Sequence, residues 1–110
     1  MTLLPKPETR QTEKRRQRRH RHEVVRTVRA VVLARDQRCR SCGVRHATLE
    51  MHELRSRAQL RGRSPEDIFN TENCLMLCRQ CHQRVTERRI TIEPCTDRGA
   101  DGQVTIMNRS

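Results

Sequence analysis

The chain has 110 residues, one domain's worth, of which 33% are hydrophobic, and its 24 Lys plus Arg against 13 Asp plus Glu give a net charge of +11. With one Phe, no Trp and no Tyr there is little apolar area to bury, so the fold needs a metal or a partner subunit to hold it, and binding by base stacking is disfavoured. A cation excess of this size attracts polyanions, nucleic acid foremost, while no run approaches the ~18 apolar residues of a membrane span.

The opening stretch MTLLPKPETR has no apolar segment of secretory length, which predicts a cytoplasmic protein with no membrane attachment. Residues 1–23 read as a basic N-terminal tail. Residues 1–35 hold eleven Lys or Arg against three acids, +8 of the +11. The densest part, KRRQRRHRH at 14–22, contributes Lys14, Arg15, Arg16, Arg18, Arg19 and Arg21 as candidate phosphate contacts. It has nothing to bury, so it is expected to be disordered or loosely helical until it meets phosphate.

From Val24 the texture changes. Val24, Val25, Val28, Val31 and Val32 fall on one helical stripe, with Arg26, Arg29 and Arg35 off it, which predicts a packing helix ending near Arg35 or Asp36. TLEMHEL at 48–54 reads as a short strand. Between Arg55 and Glu72 lies an irregular stretch bearing Arg55, Arg57, Arg61 and Arg63, all candidate phosphate contacts, and a local helix start at SPED, where Ser64 can cap and Pro65 suits the first turn. NCLML predicts a second strand and HQRVTERR a helix. The closing ITIEPCTDRGADGQVTIM shows two alternating runs around a turn rich in Gly and Asp, so residues 93–110 read as a hairpin or tail.

The string CRQCH at 78–82 is on its face the attachment sequence of a c-type haem, but haem attachment and disulfides both need an exported chain, and export is not expected here, so no haem is expected. Cys39, Cys42, Cys78 and Cys81 instead form C-x2-C, 35 residues, C-x2-C. Two knuckles of this spacing close a tetrahedral structural Zn²⁺ site with no open position, and such a site is worth on the order of 10 kcal/mol, comparable to the whole stability of a small domain. Ordinary ribbons place about 15 to 20 residues between the pairs. The longer gap leaves room for a strand, an arginine-bearing loop and a second strand. Cys74 reads as a small core residue, and Cys95 has no assigned role.

Because the two knuckles share one ion, the strand carrying His52 and the helix starting at His82 should be neighbours. Two imidazoles near the first turn of a helix, whose free N–H groups favour phosphate, describe a divalent-metal phosphodiester site. The plainer alternative is that His82 caps its helix or supports the zinc site and His52 is a half-buried polar residue.

The order C-x2-C, LEMHEL, ENCLMLCRQCH and then a helix resembles the HNH endonucleases, whose ββα-metal (His-Me finger) motif is similar to that of the colicin DNases and many phage nucleases; the resemblance covers about residues 28–90. It implies a small α+β fold in which a ββα-metal motif is stapled by the four-cysteine zinc site and preceded by a packing helix, with residues 24–92 as the nuclease domain. Carried over residue by residue, His52 is a metal ligand, Glu53 the general base that activates water, Asn73 the residue pinning the loop between the strands, with Asn70 as runner-up, and His82 a second metal ligand.

There are two departures. Glu53 stands where a histidine base is usual, and Thr86 where many members carry a further helix histidine. An exposed glutamate is a weak base, and a thin protein ligand set suits Mg²⁺, which keeps waters and takes phosphate. Adjacent strand residues point to opposite faces, so His52 and Glu53 are expected to share a site through a bend or bulge.

The resemblance implies a metal-dependent DNA endonuclease, nicking double-stranded DNA with Mg²⁺, Mn²⁺ or Ni²⁺, and extends to small phage HNH proteins, some linked to DNA packaging beside the terminase. The alternative is a non-catalytic, zinc-stabilised nucleic-acid-binding protein with a decayed site.

Overall fold

The structure, a computed structural model, describes residues 9–45 and 48–109, so the first eight residues of the expected tail lie outside the described residues. Helix α1 (Arg10–Asp36) leads into the first knuckle, followed by β1 (Leu49–Glu53), the short helix α2 (Pro65–Ile68), β2 (Cys74–Cys78), α3 (Arg79–Thr86), β3 (Ile90–Pro94), a 3-10 turn (Gly99–Asp101) and β4 (Val104–Asn108). The result is a small α+β fold with two two-stranded antiparallel sheets, β1–β2 and β3–β4. No helix among the described residues is long and apolar enough to cross a membrane.

The tract 14–22, expected to be disordered or loosely helical, lies within one continuous helix, since α1 begins at Arg10. Thr9 stops the helix in an extended conformation while its hydroxyl accepts from Thr12 N at 3.1 Å. Arg, Lys, Gln and Glu are strong helix formers, and this propensity carries the helix through residues that bury nothing. Gln37, in the left-handed conformation with φ 59°, ends it by returning its N–H to Leu33 O.

The valine stripe holds with one exception. Val32 is fully buried and Val24, Val25 and Val28 pack against the core, but Val31 is 51% exposed and Leu33 packs in its place. Successive helix residues lie about 100° apart, and Val31 falls on the far edge of a face centred on Val32 and Asp36.

The core is built on β2, all five of whose residues are buried, with Leu75, Met76 and Leu77 at 0% exposure. Below it lies a charged joint. Asp36, its side chain 1% exposed, accepts from Arg35, from Arg40 and from the backbone N–H of Met76. Arg35 donates in turn to Thr71 O, Cys74 O and Asp101, and Arg40 to Ala100 O and Gly102 O. One buried carboxylate thus ties α1 to β2 and, through two guanidinium groups, to the C-terminal turn. At Gly99, φ 60°, a Cβ would stand 2.3 Å from Glu72 O, so only glycine lets this turn seat itself beside the end of the long loop.

The C-terminal hairpin is present but begins earlier than residue 93: β3 starts at Ile90 and pairs in register from Ile90↔Asn108 to Pro94↔Val104. α3 packs over β1 and β2 and reaches β3. It thereby stands over the strand that carries His52.

Candidate functional site

Two sites are built around the second knuckle. In the first, the Sγ atoms of Cys39, Cys42, Cys78 and Cys81 all lie within 4.8 Å of one another, and those of Cys42 and Cys78 are 3.7 Å apart. A tetrahedral ion with metal–sulfur bonds of 2.3 Å sets its sulfurs about 3.8 Å apart, so the four thiols are placed to hold one metal ion, a donor set compatible with structural zinc. The backbone shapes both knuckles alike. Ser41 N and Cys42 N donate to Cys39 Sγ at 3.4 Å each, and Cys81 N donates to Cys78 Sγ at 3.5 Å. Burial would raise the Cys39 thiol, but backbone N–H groups around it outweigh burial and bring it down to about 7. Burial pushes the Cys81 thiol up to about 12, so a metal ion displaces a proton there on binding. Cys74 is a core residue as expected: it is fully buried, donates toward Ile68 O, and has its thiol pushed up to about 11 chiefly by burial.

The second site lies where β1 meets α3. The rings of His52 and His82 stand edge to face, with centroids 5.3 Å apart and planes inclined at 69°. Two imidazoles bound to one ion at metal–nitrogen distances near 2.1 Å have centroids roughly 5 Å apart, so the pair has the spacing of two ligands on one metal. Glu50, two residues before His52 on the same face of β1, places Oε1 2.7 Å from His82 Nδ1. With Nδ1–H donated to this carboxylate, Nε2 of His82 is the nitrogen left for a ligand. Burial first, and then the charge of His82, lower His52 to about 4, so its ring stays neutral and able to ligate at neutral pH.

The expected bulge at His52–Glu53 is absent. β1 pairs with β2 in unbroken register from Leu49↔Cys78 through His52↔Leu75 to Glu53↔Cys74, because the wholly buried β2 fixes the pairing along its length. Glu53 therefore starts on the face opposite His52. It is not lost in the core, however. Half-buried at the strand's end, it lines the same cleft as His52, about 900 Å³ in volume, together with Asn73, Arg55 and Arg63.

Asn73 closes the long loop. Its Oδ1 accepts from Arg55 N at 2.9 Å, and its Nδ2 donates to Arg55 O at 3.0 Å and Ile68 O at 2.8 Å. Asn70 supports it, accepting from Asn73 N and donating to Glu66 O and Asp67 O. The Thr86 hydroxyl donates to His82 O at 3.1 Å within α3, so it is engaged by the helix rather than offered to an ion.

The expected phosphate contacts are exposed apart from Arg21, which is half-buried, and they divide by position. Arg55 and Arg63 border the His52 cleft, while Arg57 and Arg63 face Lys14, Arg18 and Arg21 of α1 across a second groove; Arg61 lines neither. Arg15 and Arg19 lie on another face of α1, with Arg26, and Arg16 is exposed on the same helix.

Sequence reasoning missed Glu50. The signal was its spacing: two residues from His52 on a strand means the same face, whereas the adjacent Glu53 does not share it. Among the described residues only the four thiols form a preassembled group of three or more metal ligands, and the histidine pair does not belong to such a group. No family model, curated protein or solved structure matches this chain.

Proposed function

We propose that this chain is a metal-dependent DNA endonuclease of HNH type, in which β1, β2 and α3 serve as the ββα-metal element and the four-cysteine site holds a structural Zn²⁺. The observation that carries the reading is the convergence of His52 and His82, 5.3 Å apart, with the Glu50 carboxylate on the outer nitrogen of His82. A histidine fixed by a carboxylate beside a second, neutral histidine is a metal-ligand arrangement with its supporting hydrogen bond in place.

In this reading His52 and His82 hold one divalent ion, Mg²⁺, Mn²⁺ or Ni²⁺, beside a phosphodiester. When bound, the ion polarises the scissile phosphate and stabilises the leaving oxygen. Glu50 fixes the tautomer and orientation of His82. Glu53, at the rim of the same cleft, takes a proton from the attacking water. Asn73 keeps the Arg55 backbone against the strand end, and with it the cationic edge of the cleft. One such site cuts one strand, so a nick is the product.

A second reading, a zinc-stabilised nucleic-acid binder with a decayed site, is favoured by the unbroken β1 register at Glu53 and by the engaged Thr86 hydroxyl. Incubation with supercoiled plasmid and each of the three metals separates the two. Nicked circles that depend on Glu53, in a comparison with Glu53→Ala, support the assignment of the base. Activity that survives Glu53→Ala but not His52→Ala moves that role to His52, and a mobility shift without nicking favours the binder.

A further inference from the structure

The cations of this chain are not spread evenly over its concave surfaces. The cleft at His52 and Glu53 is lined by four arginines and five carboxylates, nearly balanced in a chain of net charge +11. The groove between α1 and the loop before α2, about 650 Å³, is lined by Lys14, Arg18, Arg21, Arg57 and Arg63 with no carboxylate among its lining residues. We infer that this groove is a built binding site for the phosphodiester backbone of duplex DNA, and that it hands the strand on to the His52 cleft through Arg63, which borders both. The inference rests on the endonuclease reading only in its choice of duplex DNA as the occupant.

The groove is constructed rather than incidental. Lys14, Arg18 and Arg21 recur at helical spacing on the side of α1 turned toward the loop, and α1 is a regular helix here, so the three cations are held in line without help from a ligand. On the opposite wall, the Arg57 guanidinium stacks 5.6 Å from the centroid of Phe69, the chain's sole aromatic side chain apart from histidine, itself only 3% exposed. Pro65 and Ile68 complete an apolar floor. His20 of α1 bonds to Glu66 of α2 at 2.5 Å, which joins the two walls and engages that carboxylate. Gly62, with φ 84° and nothing within 4 Å of where a Cβ would stand, leaves the loop backbone open to close approach.

An ordered file of cations with no exposed aromatic platform suits phosphates rather than bases, and duplex DNA offers the highest density of them. Folded walls also mean that binding does not have to order a tail, so affinity is not reduced by that entropy.

The test uses two variants of equal charge: Lys14→Gln with Arg21→Gln on the groove face, and Arg26→Gln with Arg38→Gln, exposed residues away from the groove. Binding of a fluorescein-labelled 20-base-pair duplex is followed by anisotropy against salt, without added divalent metal, beside a single strand of equal length and polyglutamate. The groove pair is expected to lose about tenfold in affinity and about two units of salt slope, with the other pair within about threefold of wild type and polyglutamate bound more weakly than duplex. Equal losses in both pairs, or polyglutamate or single strand bound as tightly as duplex, would overturn the inference. Because no cleavage is read, failure of the groove is distinguishable from failure of the nuclease assignment: a chain that binds in this pattern yet never nicks keeps the groove and loses the enzyme.

Discussion

Glu50 Oε1 lies 2.7 Å from His82 Nδ1, across the junction between a strand and the helix that follows its partner strand. That contact gives the second imidazole a defined donor and acceptor end. Glu50→Gln is expected to lower second-site metal affinity and nicking by about 10- to 100-fold while leaving one zinc per chain. Full activity in this variant would mean that His82 needs no such partner.

His52 carries a lowered pKa, about 4, because burial and the neighbouring His82 both disfavour its imidazolium. Since the folded value lies below the unfolded value near 6.5, the folded chain binds fewer protons there. The neutral ring's contribution to stability is therefore fully present above about pH 6.5 and is lost as pH falls toward 4. An NMR titration between pH 7.5 and 5 in the zinc-loaded protein should show His52 ring resonances that barely move. A midpoint at 6.5 or above would contradict the desolvated position assigned to this ring.

Asp36 is the joint of the fold, bonded to two arginines and to the Met76 amide with its own side chain 1% exposed. Asp36→Asn leaves both guanidinium groups short of their shared carboxylate. It should cost about 3–5 kcal/mol in urea unfolding, the range for breaking a buried pair by removing one partner. A loss below about 1 kcal/mol would show that the surrounding carbonyls and Asp101 hold the two arginines unaided.

Removal of metal should act on the whole fold. Three of the four cage cysteines belong to the buried core, and apolar burial outside β2 is sparse. Chelation is expected to abolish the cooperative unfolding transition and the far-UV signal of β1, β2 and α3, with recovery on adding zinc. A chelated chain that keeps its melting temperature would remove zinc from the account of stability.

The parts of the fold legible in sequence were those set by local pattern. The two knuckles, the strands around Met51 and Met76, the Ser64 and Pro65 helix start and the closing hairpin all follow from spacing, alternation and turn residues. What periodicity could not show was tertiary. Arg35 and Asp36 read as the fraying end of a helix, yet they hold β2 and the Gly99 turn together, Arg35 reaching Asp101 over 66 positions of sequence. The length of α1 was missed for the opposite reason, because its first half packs little and its helicity comes from propensity alone. At the candidate site, the pairing of His52 with His82 was legible from the shared cage. Glu50 was hidden by attention to the neighbouring Glu53, and the straightness of β1 there is set by the buried β2 opposite, which no reading of residues 48–54 alone contains.

The most direct test of the account is single-turnover nicking of supercoiled plasmid by zinc-loaded protein as Mg²⁺ or Mn²⁺ is titrated, wild type beside His82→Ala at equal zinc content. Nicked circles are expected to accumulate with metal in the wild type and to fall by at least about 100-fold in the variant, with plasmid still bound by both. Plasmid that is bound but stays supercoiled under every metal, or equal nicking by His82→Ala, would contradict it.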